Sequence, residues 1–85
     1  LDIIARDGEE LVIVEVKSKT GEEFAHPSDA ISDKKMHQVI EAADAWVVQS
    51  EWNGDTRFDL ITVVFTGPDT YVLEHYDNAF NSTLL

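Results

Sequence analysis

The sequence predicts an α+β fold, one amphipathic helix packed on a mixed or mostly antiparallel sheet in the order β-β-α-β-β. Three observations predict it. Two β-branched runs flank an Asp-Gly turn, one stretch repeats at helical spacing, and two further strand-like runs follow that stretch.

The first run is Leu1 to Ala5 and the second Leu11 to Ser18, separated by Arg6-Asp7-Gly8-Glu9-Glu10. Asp-Gly between apolar runs is a strong short-range hairpin signal. Residues 19–32 are polar, contain Gly21 and Pro27, and read as a connecting loop. Ser32 then reads as a helix N-cap, with Asp33 well placed for the helix dipole. Met36, Val39, Ile40, Ala43, Trp46 and Val47 recur at helical spacing, which predicts a helix to about Ser50. Asn53-Gly54-Asp55 breaks the pattern. Arg57 to Thr66 reads as a third strand, Gly67-Pro68-Asp69-Thr70 as a turn, and Tyr71 to Tyr76 as a fourth strand. The remainder, 77–85, reads as an irregular tail.

Eighty-five residues make a single domain, and 44% hydrophobic content suffices for a core with little stability to spare. The longest apolar stretches, Leu11 to Val14 and Leu60 to Phe65, fall far short of the roughly 20 residues that span a bilayer. No basic segment precedes an apolar one at the start, so no signal peptide is expected. The absence of cysteine excludes disulfides and thiolate metal sites and points to a cytoplasmic protein. Asn81-Ser82-Thr83 matches a glycosylation acceptor, taken as chance without a secretion signal. Lacking an initiator Met and opening within a strand, the sequence reads as a fragment. Six basic residues against 17 acidic ones give a formal charge of -11. Phosphate neutralisation by cations dominates nucleic-acid affinity, so this balance alone argues against a general nucleic-acid binder.

Closing the first hairpin shows where side chains point. A two-residue Asp7-Gly8 loop sets Asp2 opposite Ile13; a four-residue loop from Asp7 to Glu10 sets it opposite Glu15. Both registers put Asp2, Ile13, Glu15 and Lys17 on one face. Leu1, Ile3, Ala5, Val12, Val14 and Val16 occupy the other, which is wholly apolar and is expected to be the core face. A three-residue loop would bury Asp2 unpaired on that face at a cost of several kcal/mol, and is rejected. Two carboxylates and an ammonium thus converge at one sheet end, with cross-strand neighbours roughly 5–8 Å apart. Hard oxygen ligands of this kind suit Mg²⁺ or Mn²⁺. The plainer reading is a solvated salt bridge among strand-end charges.

Asp2 followed by Glu15-Val16-Lys17 resembles the Asp…Glu-x-Lys signature of the PD-(D/E)XK nuclease superfamily. A wider set of segments is similar to the YraN family of small bacterial proteins related to Holliday-junction resolvases. These are Leu1-Asp2-Ile3-Ile4-Ala5-Arg6-Asp7-Gly8, Val14-Glu15-Val16-Lys17, Pro27 with Ala30, Lys34-Lys35, Arg57-Phe58-Asp59 and Asp77-Asn78-Ala79-Phe80. The resemblance implies a restriction-endonuclease-like core, of α/β three-layer type when complete, whose upstream helix this sequence does not contain. It implies a metal-dependent endonuclease acting on DNA, with branched DNA among its candidate substrates. Asp2, Glu15 and Lys17 would be catalytic, Asp2, Glu15 and Val16 would hold Mg²⁺ or Mn²⁺, and Lys34, Lys35 and Gln38 would meet nucleic acid. Relatives of this kind often dimerise so that two sites address two strands, and a homodimer is carried over as an expectation.

Other residues read as structural. Arg57 and Asp59 flank Phe58 on one strand face and suggest an ion pair. His37 and His75 read as surface or boundary residues, Trp46 as core, Trp52 as packing at the helix end, and Phe80 as the anchor of the tail. A second functional class stays open, a non-catalytic module that keeps the nuclease fold to bind nucleic acid or protein. The active-site triple favours the enzyme, whereas the -11 charge favours the module.

Overall fold

The computed structural model describes residues 1–81. β1 (Ile3–Asp7) and β2 (Glu10–Thr20) are followed by a 3-10 turn at Pro27–Ala30, helix α1 (Asp33–Ser50), β3 (Asp55–Gly67) and β4 (Thr70–Phe80). The strands form one mixed sheet in the order β1-β2-β3-β4. Each outer pair is an antiparallel hairpin, and the hairpins join through parallel pairing of β2 with β3, for which α1 is the crossover. The α+β class and the element order follow the sequence reading.

In the first hairpin Ile3 pairs with Val14 and Asp7 with Glu10, so the loop is Gly8-Glu9 rather than Asp7-Gly8. Gly8 leads that loop at φ 60, a conformation that costs glycine little and other residues more. Continued one step, this register sets Asp2, just ahead of β1, opposite Glu15. That is one of the two arrangements the sequence left open.

Helix α1 begins where its cap predicts. The Ser32 side chain, on extended backbone, accepts a hydrogen bond from the Lys35 N–H at 3.2 Å. At the other end Glu51 takes a left-handed conformation and returns its N–H to the Val47 and Val48 carbonyls. Ser32→Ala is expected to cost about 1 kcal/mol, read as a lower urea midpoint at constant slope. An unchanged midpoint would show that the cap carries no stability.

The helix buries Val39 and Ala43 against Leu11, Ile13, Phe58, Leu60 and Phe80, with Met36, Ile40, Trp46 and Val47 packed around them. This corrects the sequence expectation about which sheet face is the core. The helix covers the Leu11-Ile13-Glu15 face. On the all-apolar face Val12 and Val14 are buried, but Leu1 and Ile3 remain 43% and 44% exposed, as do much of Phe65, Tyr71 and Leu73. Leu11 to Val14 is apolar on both sides of the strand, so alternation there cannot say which side receives a helix.

A second correction concerns 77–85. Rather than turning irregular after Tyr76, β4 continues to Phe80. Asn78 adopts φ 50 and the β3·β4 register shifts between Phe58 and Leu60, so a bulge interrupts the alternation that would have marked the strand. Beyond it Phe80 is buried and stacks on Phe58 with ring centroids 5.2 Å apart. The rest of that expected tail, 82–85, lies outside the described residues, as do two residues of the acceptor triplet. Trp52 packs at the helix end as expected, its indole N–H donating to the Asp55 carbonyl at 3.0 Å and Arg6 lying over its ring. No helix among the described residues is long and apolar enough to cross a membrane.

Candidate functional site

The pleat places Asp2, Glu15 and Lys17 on the helix-covered face, at the end where β2 outruns β1. Glu15 is a 2%-exposed carboxylate at the end of an apolar stripe, a location that demands partners. It has two. The Asp2 N–H donates to Glu15 Oε2 at 3.3 Å, and the Lys35 ammonium stands 3.5 Å from Glu15 Oε1. Asp2 is tied in turn, because the Val16 N–H donates to Asp2 Oδ2 at 2.8 Å. The two carboxylates are therefore interlocked by backbone bonds rather than merely adjacent.

Val16 contributes in a further way. Within a strand a residue's N–H and C=O point to the same edge. Since the Val16 N–H reaches Asp2, its carbonyl faces that edge too, beyond the paired length of β1. Two carboxylates and one carbonyl thus border the same strand end. Among the described residues no group of three or more His, Cys, Asp or Glu side chains gathers as a metal cluster.

Lys17 lies one pleat beyond Glu15, half-buried, and pairs across the parallel register with Thr62, which pairs with Glu74 on β4. Thr62 is buried, and the Tyr76 hydroxyl donates to Glu74. That hydrogen bond, then burial, pushes the Tyr76 pKa up. Thr62, Glu74 and Tyr76 extend the polar end of the face across the sheet. Sequence reasoning missed them because their proximity depends on the β2·β3 and β3·β4 registers, which no local pattern encodes.

Of the three helix residues assigned to nucleic acid, Lys35 is drawn down onto Glu15, whereas Lys34 and Gln38 are exposed on the helix. The site sits midway along the parallel β2·β3 pair, beside the end of β1 and under the first turn of α1.

The opposite face carries a separate ionic cluster. Arg57 grips Asp59 through two bonds of 2.9 and 3.0 Å and reaches Glu10 at 2.9 Å. Asp59, fully buried, also accepts from the Asn78 N–H at 2.9 Å and meets His75 Nε2 at 2.7 Å. Burial alone would push the Asp59 carboxyl up, but the bonds from Arg57, Asn78 and His75 prevail and lower it. The Arg57–Asp59 pair is structural, as its spacing suggested. His75 keeps an exposed ring but shares in the cluster.

The family described as "Uncharacterised protein family UPF0102" matches residues 1–63. A UPF0102 protein of Nitratidesulfovibrio vulgaris is 40% identical over 84 residues, covering 98% of this chain and 62% of the relative. UPF0102 proteins of Phocaeicola vulgatus and Geobacter metallireducens are each 38% identical over 81 residues, covering 94% of this chain and 65% and 66% of the relatives. The chain therefore spans slightly less than two thirds of the length of these curated relatives.

Proposed function

The chain belongs to the uncharacterised protein family UPF0102, and from that premise we propose that it forms the core of a Mg²⁺- or Mn²⁺-dependent endonuclease hydrolysing DNA phosphodiester bonds, with branched DNA as a candidate substrate. The observation that carries the proposal is the interlocked Asp2–Glu15 pair at a strand end, with Lys17 one pleat on. Magnesium sites commonly use only one or two carboxylates together with substrate phosphates, so this donor set fits such an ion. Asp2, Glu15 and the Val16 carbonyl would hold it. When bound, the ion would polarise a phosphoryl oxygen and acidify a water.

The chain's own residues supply the rest. Lys17 stabilises negative charge developing at the phosphorus. Lys35 balances the Glu15 charge, and with a cation held there it would be available to phosphate. Lys34 and Gln38, on the same first turns, add exposed polar contacts. With a net charge of -11, the DNA contact is local or shared with a second subunit, which suits a homodimer.

The Lys35–Glu15 ion pair also favours a second reading, a non-catalytic module that binds nucleic acid or protein with Glu15 already neutralised. A Mn²⁺ titration of wild type beside Glu15→Gln, followed by calorimetry and paramagnetic broadening, separates the two. Saturable binding that Glu15→Gln abolishes supports the enzyme and directs a cleavage screen on branched, flapped and linear DNA. Equal weak binding by both proteins rejects it in favour of the module.

A further inference from the structure

A cavity of about 460 Å³ opens between the Pro27–Ala30 turn, the start of α1, Leu60 within β3 and the last residues of β4. Its size falls within the range of roughly 300–1,000 Å³ typical of small-molecule sites. Ile31, Met36, Leu60 and Phe80 give it apolar walls, while Ser28 and Asp33 bring polar groups to it. Neither the Ser28 hydroxyl nor the Asp33 carboxylate is engaged by another described side chain or backbone group. An apolar slot bordered by a few uncommitted polar atoms suits a flat, partly polar molecule better than a purely apolar one.

The cavity neighbours the carboxylate site through residues of its wall. Leu60, in its wall, is the register partner of Glu15, and Lys35, bonded to Glu15, lies between Asp33 and Met36 on the helix. We infer that this cavity seats an unpaired nucleobase, guanine in particular, beside the strand-end carboxylates. Single-stranded and unstacked nucleotides are recognised by apolar contact with the ring and hydrogen bonds to its edge. An ionised carboxylate offers only acceptors. Guanine presents two adjacent donors, N1–H and the 2-amino group, on the edge that Asp33 would meet, whereas adenine and cytosine present a single amino group there. The biological ligand, a base freed at a branch or flap, rests on the nuclease reading.

The test needs neither metal nor cleavage. Met36 is the sole methionine, so a ¹³C-methyl label reports on the cavity wall alone. Guanosine, adenosine and cytidine, uncharged and therefore not repelled by the acidic chain, are titrated in turn. Guanosine is expected to give a saturable ring-current displacement of the Met36 methyl. Asp33→Asn should weaken guanosine about tenfold and leave adenosine nearly unchanged. Ala79→Phe, which fills the cavity, should abolish the response. A Met36 methyl unmoved by all three nucleosides, or moved equally in Ala79→Phe, overturns the inference. Guanosine binding in a protein that takes no Mn²⁺ would reject the nuclease reading and keep the seat. Mn²⁺ binding with a silent Met36 would do the reverse.

Discussion

Lys17→Ala is expected to slow metal-dependent phosphodiester cleavage by about 10²–10³-fold, the usual loss when one preorganised charge-stabilising group is removed. Mn²⁺ binding should persist in that variant, because Lys17 contributes no oxygen ligand and touches neither Asp2 nor Glu15 in the hydrogen-bond network. Lys35→Ala provides the contrast. It removes the ammonium beside Glu15 and should tighten Mn²⁺ binding while weakening contact with DNA. The expected pattern is thus a rate effect at Lys17 and a binding effect at Lys35. Equal cleavage by wild type and Lys17→Ala would remove Lys17 from the chemistry, and the Asp…Glu-x-Lys resemblance would then describe ancestry rather than mechanism.

The second large effect concerns stability. Asp59→Ala should cost about 3–5 kcal/mol, because it takes the buried partner from a guanidinium left with the more exposed Glu10 and Asp7, and leaves the Asn78 N–H and His75 without their acceptor. Small domains have only about 5–15 kcal/mol in all, so chemical denaturation should show the variant at the margin of folding. The same carboxylate sets an acid limit. Its folded pKa lies below its unfolded one, so its contribution is complete above the unfolded value, about 3.9. That contribution disappears as the pH falls from there through the folded value. Acid unfolding followed by tryptophan fluorescence should therefore shift to higher pH in Arg57→Gln, which removes the largest opposing bond. Coincident acid transitions in the two proteins would mean that Asp59 gains nothing from Arg57.

Much of this architecture was legible because its signals are local. The helix follows from Ser32 and the spacing of Met36, Val39, Ile40 and Ala43, and the cap hydrogen bond forms where the sequence places it. The first hairpin was legible to within its loop. Burying Asp2 on the apolar face was energetically untenable, and the observed register respects that. What the sequence left ambiguous depends on contacts between distant segments. Both sides of Leu11 to Val14 are apolar, so the choice of covered face belongs to α1, not to β2. Phe80 looked like an isolated anchor because the Asn78 bulge masks the strand that carries it. For the site, Asp2, Glu15 and Lys17 could be grouped from the pleat alone. The grip of Lys35 on Glu15 required α1 to dock on the sheet, and the Lys17-Thr62-Glu74 row required the β3·β4 register and the parallel β2·β3 pairing.

That pairing also has a kinetic consequence. Partners across β2 and β3 are 45 residues apart in the chain, whereas each hairpin closes over a short turn. Hairpins form in about 1–10 μs, but a long connection must lose its closure entropy before any non-local contact rewards it. The two hairpins therefore assemble early and the central seam sets the pace. Asp2 and Glu15 lie within the first hairpin and meet before the seam closes, so the strand-end carboxylates are in place early in folding. The base-sized cavity, with walls from α1, β3 and β4, is complete only at the last step.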